Sequence, residues 1–303
     1  MTLEYSLRRV HSKYPLLVLY TDSFPAEGHA ALDARGIPKR HVPYLLPAVH
    51  KDYVNDVRFY DCWSKLTPFS LTEHDRVVQL DSDMMVVQNM DELMDLDLDP
   101  PEMAGTGSRV FAASHACVCN PLHKAHYPKD WYVSLPHRGD MLKLTVKRIP
   151  SNCAFTSQHN TPEEAQITGA PATTGLGVPN GGLQVVKPSR AIYDKIIDRL
   201  STSSATSKYD FADQSLLSDV FYGQWVALPY IYNALKTMRW KGVHDAIWRD
   251  DKVKNVHYIL SPKPWDEDEE ARKLKTDPLN VWWWEVTEER KKEEKSKGID
   301  DQF

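Results

Sequence analysis

The chain has 303 residues, 42% of them hydrophobic and 26% charged, which gives it ample core and excludes a disordered or fibrous protein. Its 37 basic and 42 acidic residues leave a net charge of −5, so the basic footprint of a nucleic-acid-binding protein is missing. An anionic substrate would need local cations or a metal to hold it.

In chain order, Leu3, Leu7 and Val10 recur at helical spacing and predict an amphipathic helix over residues 2–12. The run Leu16-Leu17-Val18-Leu19-Tyr20, stopped by Thr21-Asp22-Ser23, predicts a buried strand ending in a turn. A helix follows over 26–35, closed by Gly36 and Pro38, and another over 63–72. Arg76-Val77-Val78-Gln79-Leu80 is a further apolar strand that runs directly into Asp81-Ser82-Asp83. This alternation argues for a largely parallel sheet with helices on both faces, where ligands sit beyond the carboxyl ends of strands.

Residues 105–178 are less regular. Within them, 132–148 carries Arg138, Lys143, Lys147 and Arg148 against Asp140 and reads as a surface insertion loop outside the catalytic core. Regular structure resumes with a strand at Leu183-Gln184-Val185-Val186 and a helix over 189–200 capped by Ser189. A short helix over 211–221 and strand-like stretches at 225–228 and 253–259 complete the pattern. Beyond Pro264, Trp282-Trp283-Trp284 must rest on an apolar surface, and the mixed charges of 285–297 read as a solvated helix.

The four cysteines, Cys62, Cys117, Cys119 and Cys153, contain no C-x-x-C pair and read as reduced thiols of a cytoplasmic protein. No apolar run approaches the roughly 20 residues of a membrane span, and the first residues lack the pattern of a signal peptide.

Two groups of residues carry chemistry. A tight turn at a strand end lets Asp81 and Asp83 face one hard cation such as manganese or magnesium, although an isolated D-x-D is more often an ordinary solvated turn. His257, ending a strand, is a third ligand candidate. Six residues on, Lys263 stands between Pro262 and Pro264, which restrict the backbone and aim its ammonium.

Together with Trp265 after Pro264, these features resemble glycosyltransferase family 8, the glycogenin and galactinol synthase group. Two more matches lie between them in order: Asn180-Gly181-Gly182 before Lys187-Pro188-Ser189, and Asp210-Phe211-Ala212-Asp213-Gln214. The resemblance spans roughly residues 1–265. It implies a GT-A fold, with a Rossmann-like mixed and mostly parallel sheet flanked by helices. It also implies retaining transfer of a hexose from a UDP-sugar to a carbohydrate, polyol or protein acceptor. By position, Asp81, Asp83 and His257 would bind Mn2+ or Mg2+. Lys263, Lys65, Asn180, Gly181, Gly182 and Leu260 would contact the donor, and Asp210, Asp213 and Gln214 would surround the reacting centre. Asp213 could equally serve as a helix cap. Leu260 stands where the family often has glycine.

The organisation expected is a GT-A domain over 1–265 and a Trp-rich, charged helical extension over 266–303; a homodimer is an open option. Family members usually begin with a strand that this sequence lacks. Its loss should leave two neighbouring strands without a partner. The alternative reading is a catalytically impaired relative that acts as a binding or scaffold protein.

Overall fold

In the computed structural model, residues 1–128, 151–274 and 277–303 are described. The insertion expected over 132–148 lies outside them. The elements are α1 (Thr2–Arg9), β1 (Val18–Tyr20), α2 (Ala26–Ala34), β2 (Lys39–His41), β3 (Val77–Leu80), β4 (Met84–Val86) and β5 (Phe111–His115). After them come β6 (Pro179–Val186), α3 (Arg190–Leu200), α4 (Ser203–Thr206), α5 (Ala212–Val220), β7 (Val226–Ala227), β8 (Ala234–Leu235), β9 (Asn255–His257), α6 (Glu269–Leu274) and α7 (Pro278–Ser296). None of these helices is long and apolar enough to cross a membrane.

The strands form three small sheets. One is β1-β2, one runs β3-β6-β5-β7, and one runs β4-β9-β8. The mixed α/β architecture is the expected one, but less of it is parallel than the alternating pattern suggests. β1-β2, β5-β7 and β8-β9 are parallel, whereas β3-β6, β5-β6 and β4-β9 are antiparallel. The reason is β6, an eight-residue strand buried along its whole length, which lies antiparallel to a neighbour on each side. Local periodicity reports that a strand exists, not the direction of its partner.

β1 and β3 each pair with a single strand among the described residues, β2 and β6 respectively. Both are only half-buried, although their apolar runs lead one to expect full burial.

The segment expected as a helix over 63–72 is a 3-10 helix, Cys62–Ser70, with Pro68 inside it. Proline has no N–H and its ring clashes with the preceding turn, which interrupts an α-helical ladder here. Ser189 occupies the N-cap of α3, but its side chain makes no capping bond. The C-terminal helix is less solvated than its charges suggest. Leu279 and Val286 of α7 join an apolar cluster with Tyr5, Val256 and Tyr258, and Trp282 and Trp283 pack against it. Arg290 and Glu294 are buried and paired with each other.

Candidate functional site

The turn Asp81-Ser82-Asp83 is where the chain leaves one sheet for another, because β3 belongs to the four-stranded sheet and β4 to the three-stranded one. Asp81 extends the first ladder, its N–H donating to the Gly182 carbonyl at 2.8 Å. The Asp83 carbonyl accepts from the Tyr258 N–H at 2.9 Å, next to the pairing of Met84 with His257. This change of sheet breaks the alternation of faces, and both carboxylates turn toward the His257 ring. His257 Nε2 is 3.2 Å from Asp83 Oδ1 and 3.9 Å from Asp81 Oδ2. One donor atom from each of the three residues lies within 4.8 Å of the other two.

The imidazole is held from behind. His257 Nδ1 is 2.9 Å from Asn233 Oδ1, and Asn233 Nδ2 donates to Asn180 Oδ1 at 2.9 Å. Since the Asn233 amide nitrogen is engaged with Asn180, its oxygen accepts from Nδ1–H of the ring. That assignment turns Nε2 toward the carboxylates as the atom that would give its lone pair to a metal ion. Two carboxylate oxygens and one imidazole nitrogen facing one cavity suit a hard divalent ion such as manganese or magnesium. The residues present fit such an ion.

Two lysines flank the triad. Lys65 Nζ is 2.6 Å from Asp81 Oδ2, and Lys263 Nζ bonds to Asp83 and to the Tyr258 carbonyl, the latter at 2.6 Å. Burial opposes ionisation of Asp83, yet His257 and Lys263 outweigh it and hold its carboxyl well below the usual range. Burial likewise opposes the charge on Lys65, but Asp81 and its other neighbours outweigh that and keep the ammonium protonated.

These groups line a cavity of about 430 Å³ that also takes in Asn180, Gly181, Gly182, Asp213, Gln214 and Leu260. The two glycines are required by close approach. A Cβ on Gly181 would lie 2.2 Å from Asp213 Oδ2, and one on Gly182 would lie 2.5 Å from the His257 ring. Gln214 Oε1 accepts from the Gly181 N–H at 3.0 Å, so the Asn-Gly-Gly strand and the first turn of α5 are joined directly. Asn180 Oδ1 is committed to the Gly182 N–H and to Asn233, which makes Asn180 a strut behind His257 as well as part of the wall.

Asp213 is 2% exposed, and its Oδ2 has no hydrogen-bond partner among the described residues. Burial, with Asp81 adding to it and Lys65 opposing, pushes its carboxyl up to about 7. It is not the cap of α5: that position is Phe211, whose N–H donates to Ser215 Oγ. Asp210 stands apart. It is half-exposed, ion-paired with Lys51, and contributes nothing to the cavity wall. Leu260 adopts φ 65°, the left-handed region that suits glycine.

Sequence reasoning missed Asn233, which no motif marks, and Arg58, Cys62 and His126 in the cavity wall. They come from segments whose proximity only the tertiary structure reveals.

A sequence profile of glycosyl transferase family 8 matches residues 182–269. Galactinol synthase 4 of Arabidopsis thaliana is 25% identical over 295 residues, covering 96% of this chain and 77% of its own length. Galactinol synthase 1 of Ajuga reptans is 24% identical over 284 residues, with 92% and 74% covered. Among solved structures, the galactosyltransferase LgtC bound to donor and acceptor sugar analogues superimposes with a TM-score of 0.51 at 15% identity, covering 93% of this chain and 89% of that one. The glycosyltransferase GlyE of Streptococcus pneumoniae gives 0.53 at 18% identity over 94% of this chain, which spans 56% of GlyE. At these identities the structural likeness establishes the fold, the GT-A architecture expected from the sequence.

Proposed function

We propose that the chain is a glycosyltransferase of family 8 that transfers a hexose from a UDP-sugar with the help of one divalent ion, manganese or magnesium, held by Asp81, Asp83 and His257. The observation that carries the proposal is the convergence of these three side chains beside Lys65 and Lys263 in one cavity. When bound, the ion would neutralise diphosphate charge that grows as the UDP group leaves. The chain's own residues supply the rest. Lys263, now resting on Asp83, is placed to move its ammonium onto the diphosphate, and Lys65 is placed beside Asp81 to face the donor.

Gly181, Gly182 and Asn180 give the donor sugar a wall without side-chain bulk. Gln214 is fixed through its Oε1, which leaves its amide nitrogen to donate to a sugar oxygen. Asp213, with one unpartnered oxygen, is the group placed to stabilise positive charge on the sugar when ionised. Retention of anomeric configuration belongs to the same reading. The acceptor is a carbohydrate, polyol or protein. The relatives named for galactinol, and the structural neighbour named a galactosyltransferase, make UDP-galactose the first donor to test. A cytoplasmic setting is part of the proposal, because three buried thiols lie together where an oxidising compartment would join them.

The test is release of UDP from UDP-galactose and UDP-glucose with manganese, in the parent and in Asp83→Asn. The expected loss is about 100-fold or more, the weight of several kcal/mol of charge stabilisation. Equal and nonzero rates would remove Asp83 from the mechanism. Manganese-dependent UDP binding without turnover of any donor would favour the binding or scaffold role.

A further inference from the structure

Away from the donor cavity's floor, a second set of ligand side chains meets. Cys117 and Cys119 follow β5, Cys153 precedes the 3-10 helix Ala154–Gln158, and His244 lies between β8 and β9. All four are buried, with exposures of 8%, 2% and 1% for the cysteines and 0% for the histidine. His244 Nε2 is 3.4 Å from Cys117 Sγ, 3.2 Å from Cys119 Sγ and 3.4 Å from Cys153 Sγ, and all four atoms lie within 4.8 Å of one another. Sequence reading treats these cysteines as plain reduced thiols, since their spacing carries no metal signature and His244 is remote from them.

We propose that Cys117, Cys119, Cys153 and His244 form a structural site for a soft divalent cation, zinc, separate from the carboxylate site of the donor cavity. Three S–H groups converge on a nitrogen with one lone pair, which can accept from only one of them. A cation at the centre resolves this, since each thiol gives up its proton on binding and each thiolate donates a lone pair instead. The dimensions agree. A tetrahedral zinc, with Zn–S about 2.3 Å and Zn–N about 2.0 Å, sets sulfur-to-nitrogen separations of about 3.5 Å.

The outer partner is also in place. His244 Nδ1 is 2.9 Å from His159 Nε2, so Nδ1–H can donate to His159 and turn the Nε2 lone pair toward the sulfurs. Four protein ligands in an apolar surround leave no open position, which marks a structural rather than a catalytic ion. Three thiolates select zinc over the manganese or magnesium that the carboxylates favour. The ion would tie three remote segments together beside Cys117, which is itself part of the cavity wall.

The test is metal content of the full chain after dialysis against a mild chelator, for the parent, Cys119→Ser, His244→Ala and Asp83→Asn. About one zinc per chain is expected in the parent and in Asp83→Asn, with less than about a tenth in the other two and a melting temperature lower by about 10 °C. Should the cysteine and histidine variants fail to fold, X-ray absorption at the zinc edge of the parent decides the matter. Three sulfurs near ~2.3 Å and one nitrogen near ~2.0 Å are expected there. The proposal is overturned by a parent free of zinc that gains no stability when zinc is added. It is equally overturned by zinc lost from Asp83→Asn but kept by Cys119→Ser, or by a disulfide among the three cysteines in the freshly purified chain.

Discussion

Among the described carboxylates, Asp213 is the one whose surroundings most oppose its charge, and this makes its protonation measurable. Its carboxyl, raised by burial to about 7 from an ordinary 3.8, binds a proton in the folded chain at pH values where the unfolded chain has lost it. The associated stability is fully present below about pH 4 and is lost as the pH rises through about 7. Relative to Asp213→Asn, the parent without donor or metal should therefore weaken between pH 5 and pH 8, by an upper bound of roughly 3 kcal/mol. Denaturant titrations at the two pH values check this, and a pH-independent difference would contradict it. Gly181 tests the same carboxylate sterically. In Gly181→Ala the new methyl meets Asp213 Oδ2, the end of a side chain that can rotate away. Turnover should fall about 10-fold or more while stability changes by less than about 2 kcal/mol. Comparable kinetics in parent and variant would show that Asp213 need not hold its present position.

Among the elements, the end of α2 and the end of α7 are joined by a single guanidinium. Arg35 donates to both oxygens of Glu294 at 2.9 Å and to both oxygens of Asp301 at 2.8 Å, and Arg290 adds a bond to Glu294 at 2.6 Å. The Arg35 side chain is 5% exposed, so solvent offers little replacement if it is removed. Arg35→Met leaves buried Glu294 with one cation instead of two, and should cost about 3 kcal/mol in equilibrium unfolding. A loss below about 1 kcal/mol would mean that the clasp is not structurally important. Nothing in the mixed charges of 285–297 distinguishes this buried face from a solvated one, because a partner such as Arg35 is far away in sequence. The Trp-rich turn preceding it was legible, since a large apolar surface has to be covered by something, and Trp265 and Trp283 meet with ring centroids 5.3 Å apart.

Across the whole molecule, the features readable in the sequence are those whose meaning is local. Asp81 and Asp83 follow an apolar strand, Gly181 and Gly182 sit within another, and His257 ends a third, so their placement on or beside strands follows from short stretches of chain. What could not be read is what topology brings together. The direction of β6 against its neighbours, the support Asn233 gives to His257, and the meeting of Cys153 with His244 all join segments that share no pattern. Asp210 is a motif residue that pairs with Lys51 and does not line the cavity. The central claim is that one divalent ion, held by residues from two sheets, joins the protein to a nucleotide diphosphate. Calorimetric titration of UDP with and without manganese, in the parent and in His257→Ala, tests it most directly. Manganese should strengthen UDP binding at least about 10-fold in the parent and less than about 2-fold in the variant; equal strengthening in both would contradict the claim.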